Sequence, residues 1–281
     1  YRLRSKFQKV AAVARLQLQP KGPINVRALR REVRRSRRGL PAIHFPKHVS
    51  VIIPCYGHAP FLRSCLESVL RQSRLPDQVV AVLDASLDGS EEILLEYQES
   101  FVRRGVDFAL LKNRRNLGQA ASINRGVEHA SSELMMVLND DDILFDDSIL
   151  LSLQLFERSG SFALLGGSCV PFTEEADLVD YESTAHSRQP PGDITIHPRY
   201  AVEGYSDVGD FNITHSGMTF LKAAWKIAGG YRPRKSRRVV KFSDRDFQFR
   251  MNCYFPIAAL DDSLPLAFWR QGFSVDKGRN S

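Results

Sequence analysis

From Val49 onward the chain alternates short runs of apolar, mostly β-branched residues with longer stretches whose apolar positions recur every three or four residues. Val49-Ser50-Val51-Ile52-Ile53 is the first such run, and Pro54 ends it. Leu62, Cys65, Leu66 and Val69 then share one face of a helix predicted over about 60–72. A second strand is predicted over 78–83, a helix to about 104 with Asp88 as its N-cap, and a third strand over 106–111. Asn116-Leu117-Gly118 opens a helix to about 130, and a fourth strand runs over 134–138. This alternation predicts an α/β fold: a Rossmann-like, mostly parallel sheet flanked by helices. In such sheets ligands bind beyond the carboxyl ends of the strands.

After residue 146 the pattern loosens. A helix to about 159 and a strand near 162–165 precede a Pro-, Gly- and acid-rich stretch over about 174–210. That is too long for an ordinary connection, so it is expected to be a functional loop or lid. Regular structure is expected to resume over 211–220, followed by a short helix over 222–228. Gly229-Gly230-Tyr231 turns the chain, and a helix starting at Asp244 carries Phe247, Phe249 and Met251.

Composition places these elements in a soluble globular chain of one large domain or two small ones, since 281 residues with 25% charged content can bury a sizeable core. No apolar run approaches the roughly 18 residues a membrane span needs, and no secretory signal is visible. The chain begins at Tyr1 rather than Met, the pattern of a piece of a longer protein. Cys55, Cys65, Cys169 and Cys253 lack Cys-x-x-Cys spacing, so free thiols are expected.

The net charge of +7 is unevenly divided. Residues 1–48 hold fourteen Lys and Arg against the single acid Glu32, which leaves the rest of the chain mildly acidic at −6. These residues are read as a basic helical N-terminal extension, broken at Pro20-Lys21-Gly22-Pro23. One reading is a solvated tail or packing arm. The other is an electrostatic patch for an anionic membrane surface. No nucleic acid is expected, because no aromatic residues alternate with the arginines to stack on bases.

The fourth strand runs straight into Asn139-Asp140-Asp141-Asp142. Adjacent carboxylates repel, and burying them unpaired costs several kcal/mol, so the stretch calls for a cation or ligand donors unless it is only a solvated turn. Asp84, Asp140 and Asp141 belong to one sheet edge, and a second cluster, Ser243-Asp244-Arg245-Asp246, follows about a hundred residues later. Hard oxygen ligands of this kind suit Mg²⁺ or Mn²⁺ bound together with substrate phosphates. Neither a Walker loop nor a Gly-x-Gly-x-x-Gly follows the first strand. A nucleotide held by carboxylates and a metal points to group transfer from an activated donor.

These motifs together resemble family 2 glycosyltransferases of the GT-A fold, over about 49–277. Val-Ser-Val-Ile-Ile-Pro-x-Tyr is present through Tyr56, and Leu83-Asp84-Ala85-Ser86-Leu87-Asp88-Gly89 is similar to the family's Asp-Asp-Gly-Ser-x-Asp-Gly. Asn116-Leu117-Gly118, with Asn124 and Gly126 downstream, is similar to its helix start, and Asn139-Asp140-Asp141 to its Asp-x-Asp metal motif. Gly229-Gly230-Tyr231 with Ser243-Asp244-Arg245-Asp246 is similar to Gly-Gly-Phe and Glu-Asp-x-Asp. Phe268-Trp269-Arg270-Gln271 resembles the aromatic-Arg-x-His segment without its His.

The resemblance implies a domain over 49–281, with a nucleotide-sugar half over 49–145 and an acceptor half over 146–281. It implies that Pro54, Tyr56 and Asp84 frame the base, with Asn116 and Gly118 on the same nucleotide-sugar side, and that Asp140 holds the ribose. Asp141, with Asn139, would hold Mn²⁺ or Mg²⁺. Asp244 would be the general base of an inverting transfer from a nucleotide-diphosphate sugar to a glycan or lipid-linked acceptor. His215, Asp246 and Trp269 are the acceptor-side candidates. The implied setting is surface or cell-wall glycan synthesis at the cytoplasmic face of a membrane. The alternatives are a non-catalytic nucleotide- or glycan-binding domain, in view of Asn139, Leu83 and Ser243, and a nucleotidyltransferase. The latter usually has a glycine- and arginine-rich loop after the first strand, which residues 54–60 lack.

Overall fold

The computed structural model describes residues 47–159, 161–178, 194–202, 208, 211–232, 243–260, 262 and 264–272. The basic extension therefore lies outside the described residues, apart from its last two positions. The described elements are β1 (Val49–Cys55), α1 (Ala59–Leu70), β2 (Gln78–Leu83), α2 (Ser90–Arg103), β3 (Asp107–Lys112), α3 (Gln119–His129) and β4 (Leu134–Val137). They continue with β5 (Ile143–Leu144), α4 (Ser148–Ser159), β6 (Leu164–Gly166), β7 (Cys169–Phe172) and β8 (Ile194–His197). The chain then forms β9 (Thr219–Leu221), α5 (Lys222–Ala228), α6 (Ser243–Tyr254), β10 (Ile257–Leu260) and β11 (Ala267–Arg270).

Eight strands form one sheet in the order β3-β2-β1-β4-β9-β6-β10-β8. β1 pairs parallel with β2 on one side and with β4 on the other, β2 pairs parallel with β3, and β10 with β6. β9 runs antiparallel to both neighbours, as does β8 to β10. A small second sheet, β5-β11-β7, forms from the residues that follow β4 and from the end of the described chain.

The apolar runs are continuous because the sheet is covered on both faces. Successive side chains of a strand point to opposite sides, and here both sides are core. Val51 and Ile53 of β1 pack with Leu62 and Leu66 of α1, Phe101 of α2 and Phe156 of α4. Ile52 packs on the other face with Ile123 of α3, Trp225 of α5 and Phe247 of α6. β4 divides the same way, with Leu134 and Met136 on the first face and Met135 and Val137 on the second. α3 lies close to the sheet because Gly126 faces it: a Cβ there would stand 2.6 Å from Ile52 Cγ2.

Of the 174–210 stretch, expected to be a functional loop or lid, residues 179–193, 203–207, 209 and 210 lie outside the described residues, and the described part is not all loop. Glu175–Leu178 is a 3₁₀ turn, and Ile194–His197 forms β8 by pairing with β10. The regular structure expected to resume over 211–220 begins only at β9, just after Gly217, which takes a φ of +83°. β5, β7 and β11 are two to four residues long and had no periodic signal to reveal them.

Candidate functional site

β1 has β2 on one side and β4 on the other, so the connections leave it in opposite directions and a crevice opens beyond its carboxyl end. The crevice widens into a cleft of about 1130 Å³. The Tyr56 N–H donates to Asp140 Oδ2 at 2.8 Å, and His58 Nδ1 donates to Asp140 Oδ1 at 2.8 Å. The carboxylate that follows β4 is thus gripped by the residues that follow β1.

The three aspartates take different roles from their surroundings. Asp140 is buried, and burial holds its carboxyl above the usual carboxylate range against the pull of His58 and the Tyr56 N–H. Asp141 is half-buried; burial raises it as well, His58 lowers it, and the like charge of Asp140 raises it further. Asp142 turns away into protein donors: Ser216 Oγ at 2.5 Å, the Arg270 N–H at 3.0 Å and Asn139 Nδ2 at 3.1 Å. Burial, reinforced by Asp141, pushes it up to about 7 despite those bonds. The repulsion expected from three adjacent carboxylates is thus relieved by giving one of them to the scaffold.

Asn139 is also committed. Its Oδ1 accepts from Gln119 Nε2 at 2.9 Å while its Nδ2 serves Asp142.

Asp84 also lines the cleft. It is buried, and its carboxylate accepts from Asn113 Nδ2 at 2.7 Å, the Leu117 N–H at 2.8 Å and the Gly118 N–H at 2.7 Å. A carboxylate has about four lone-pair positions, and three are used to shape the loop that opens α3. Gly118 carries a φ of +86° there, a conformation that favours glycine.

The second half of the chain supplies the rest of the lining. Asp244 stands in the first turn of α6 and lines the cleft with Ser243 and Arg245. His215 Nε2 lies 3.2 Å from the Tyr231 hydroxyl. Burial pushes its imidazole toward the neutral form while the Asp244 carboxylate pulls the other way. Asp246 points elsewhere: it is buried and bridges Arg250 at 2.7 Å and Arg232 at 3.3 Å, and it does not line the cleft. Trp269 is half-exposed at the cleft's edge, whereas Trp225 is buried and donates its Nε1 to Asn124.

One cleft therefore collects Pro54, Tyr56, Asp84, Asn116, Gly118, Asn139, Asp140, Asp141, His215, Asp244 and Trp269 from the sequence-derived set, and omits Asp246. It also contains three residues that sequence reading passed over. His58 is a lone histidine after a strand, Asp142 is the third member of the acidic run and was given no role of its own, and Arg270 sits in a segment noted for a missing His. Arg270 is held between the rings of Phe61 and Phe172, 4.2 and 4.4 Å from their centres, and its Nε donates to the Asp141 carbonyl at 3.1 Å. The signal that could have exposed it is a buried-strand position occupied by arginine, which only bonding on all sides can support.

The donor chemistry of the site suits a divalent cation. One ring nitrogen of His58 and one carboxylate oxygen each of Asp140 and Asp141 lie within 4.8 Å of one another. Carboxylates raised by burial gain most from a positive charge placed beside them.

A mixed, mostly parallel sheet with helices on both faces and a carboxylate-lined cleft at the strand ends is the GT-A architecture. Residues 50–193, just over half the chain, match the model of glycosyl transferase family 2, and the chain belongs to that family. It is 25% identical over 120 residues to a poly-beta-1,6-N-acetyl-D-glucosamine synthase of Staphylococcus epidermidis, covering 43% of this chain and 28% of that protein. It is 31% identical over 121 residues to the putative teichuronic acid biosynthesis glycosyltransferase TuaG of Bacillus subtilis, covering 43% and 46%. The chain thus spans less than half the length of these curated relatives. Among solved structures, S. aureus TarS 1-349 in complex with UDP-GlcNAc superposes with a TM-score of 0.59 at 15% identity, covering 81% of this chain and 59% of that one. The mannosyltransferase PcManGT from Pyrobaculum calidifontis, in complex with GDP-Man and Mn²⁺, superposes at 0.55 with 18% identity, covering 86% and 64%.

Proposed function

We propose that this chain is an inverting glycosyltransferase that moves a sugar from a nucleotide-diphosphate sugar to an acceptor hydroxyl, in the synthesis of a surface or cell-wall glycan. The observation that supports it best is one cleft lined by Asp140 and Asp141, which follow β4, and by Asp244 in the first turn of α6. Pro54, Tyr56, Asn116 and Gly118 frame the nucleoside, and Asp84 acts chiefly by holding the Leu117–Gly118 backbone in shape. Asp140 takes the ribose side. Asp141 and Asp140 would hold a divalent cation, Mn²⁺ or Mg²⁺, which when bound offsets charge on the diphosphate leaving group.

Asp244 accepts the proton of the acceptor hydroxyl as that oxygen attacks the anomeric carbon, and the nucleoside diphosphate leaves from the opposite side. A single displacement of this kind inverts the anomeric centre. His215 and Trp269 lie on the acceptor side, where the exposed indole offers an apolar face to a glycan or lipid-linked acceptor. The division into an extension over 1–48 and a transferase domain over 49–281, split near 145, fits this use. The fourteen cations of residues 1–48 suit docking on anionic lipid at the cytoplasmic face of a membrane. No helix among the described residues is long and apolar enough to cross one.

The test is a melting-temperature panel of UDP, GDP, dTDP and CDP with and without Mn²⁺, followed by turnover with the sugar nucleotides of whichever base binds. A ligand at a hundred times its dissociation constant adds about 2.7 kcal/mol. The expected result is metal-dependent stabilisation by one nucleotide, with turnover lost in Asp244→Asn and binding kept. Stabilisation by none of the four, or turnover that survives Asp244→Asn, would overturn the reading.

A further inference from the structure

We infer that His58 is a direct protein ligand of the divalent cation, beside Asp140 and Asp141, and that it biases the site toward Mn²⁺ over Mg²⁺. The inference rests on the transferase reading for the presence of a cation, but the ligand set comes from the geometry. His58 Nδ1 and Asp140 Oδ1 are 2.8 Å apart. Without a cation the Nδ1 proton makes that contact a hydrogen bond. A cation takes the place of the proton, and since adjacent ligands on an octahedral ion with bonds of about 2.1 Å lie about 3 Å apart, the pair keeps nearly the same spacing as neighbouring coordination positions. An oxygen of Asp141 completes the group within 4.8 Å.

Asn139 stands where the family pattern places a metal-motif carboxylate, and its amide oxygen is taken by Gln119 and its amide nitrogen by Asp142. The chain also has Gly272 after Trp269-Arg270-Gln271, at the place of the pattern's histidine. The imidazole closest to the carboxylates comes instead from the residue that starts α1.

The segments that carry the three donors are anchored before any ion arrives. The Tyr56 N–H fixes Asp140, and the Arg270 guanidinium fixes the Asp141 carbonyl. Phe61, three residues beyond His58 on the first turn of α1, packs against that same guanidinium at 4.2 Å. One arginine therefore ties the helix carrying His58 to the loop carrying Asp141, which is how precise sites are supported. Imidazole is a borderline donor suited to first-row transition ions, whereas Mg²⁺ prefers oxygen ligands and keeps its waters. A nitrogen in this position discriminates between the two.

The experiment uses the full chain labelled with ¹⁵N, loaded with Mn²⁺ alone and then with Mn²⁺ and UDP, and read by pulsed electron paramagnetic resonance and by Mn²⁺ titration. The label separates protein nitrogen from that of the nucleotide. The expected result is a ¹⁵N coupling to Mn²⁺ in the parent chain that disappears in His58→Ala, with Mn²⁺ affinity down at least 10-fold and Mg²⁺ affinity changed less than 3-fold. The parent spectrum does not depend on whether the variant folds. A bound Mn²⁺ with no ¹⁵N coupling, or unchanged Mn²⁺ affinity in a folded His58→Ala, overturns the assignment while metal-dependent nucleotide binding leaves the transferase reading intact. No Mn²⁺ binding with or without UDP overturns the assignment and, with no nucleotide stabilising the chain, the transferase reading too.

Discussion

Asn124 and Tyr231 hold each other by two opposed hydrogen bonds: the Asn124 amide donates to the Tyr231 carbonyl at 2.7 Å and accepts from its N–H at 2.8 Å. The two residues are 107 positions apart, and the bond joins α3 to the turn that follows α5. Gly230, at a φ of +65°, brings the backbone close enough, since a Cβ there would lie 2.8 Å from Asn124 Oδ1. The same Tyr231 ring stacks on Phe247 at 4.3 Å, and its hydroxyl meets His215. The clamp thus sets where the first turn of α6, with Asp244, stands relative to the carboxylates after β4. Asn124→Asp keeps the size but cannot donate to the carbonyl, and should cost about 2 kcal/mol in urea unfolding. Turnover should fall with it while Mn²⁺ binding at Asp140 and Asp141 is retained.

Asp84 offers a test of loop shaping. In Asp84→Asn an NH₂ group must face at least one of the donors now bound to the carboxylate, with the Leu117 and Gly118 N–H groups among them. A buried unsatisfied donor costs about 1–3 kcal/mol. A lower urea midpoint with an unchanged slope is expected, together with weaker stabilisation by the cognate nucleotide in the melting assay.

Gly126 separates helix propensity from packing. Alanine is the better helix former by about 1 kcal/mol. Its Cβ would nevertheless stand 2.6 Å from Ile52 Cγ2 and 3.3 Å from Val82 Cγ2, pushing α3 off the sheet. Overpacking of this kind costs about 1–3 kcal/mol. Gly126→Ala should therefore lower the melting temperature, by a few degrees as measured in calorimetry, rather than raise it.

Asp88 gives a pH dependence. Partial burial pushes its carboxyl up, but the Ser90 hydroxyl, the Ala59 N–H, the Ser86 hydroxyl and the Ser90 N–H outweigh that and hold it at about 2. The pKa is lower in the folded chain than in the unfolded one, so the stabilisation is complete above about pH 4 and is lost as pH falls toward 2. The group is exposed, and solvent screening limits the effect to about 1 kcal/mol. Unfolding of the parent and Asp88→Asn between pH 2 and 6 should show the parent more stable at pH 5 and the two converging near pH 2.

Most of residues 49–145 was legible along the chain. β1 to β4 and α1 to α3 lie close to their predicted positions, because strands buried on both faces read as continuous apolar runs and their helices as three-to-four-residue repeats. The carboxylates at the strand ends were visible for the same reason, as polar residues placed where an apolar run stops. Asp88 was expected to be the N-cap of α2, but Gly89 takes that position; Asp88 stands one residue earlier and bonds both Ser90 and the Ala59 N–H, joining two helix starts that only the folded sheet makes neighbours.

The second half was less legible because its strands are three or four residues long and pair with distant partners: β10 lies between β6 and β8, and β11 between β5 and β7. Pairing of that kind carries no local period. The sequence by itself determined the layered α/β plan, the acidic sheet edge and the family motifs, since each rests on local pattern and spacing. Tertiary structure alone decided how three adjacent aspartates are divided, with Asp140 gripped by β1, Asp141 left toward the cleft and Asp142 given to Ser216 and Arg270. It also decided that His58 and Asp140, 82 residues apart, share a hydrogen bond while Asp246 does not reach the cleft beside Asp244. The reason is physical: the energy of a buried charge depends on the donors and charges within a few ångströms, and those arrive from parts of the chain that sequence order keeps far apart.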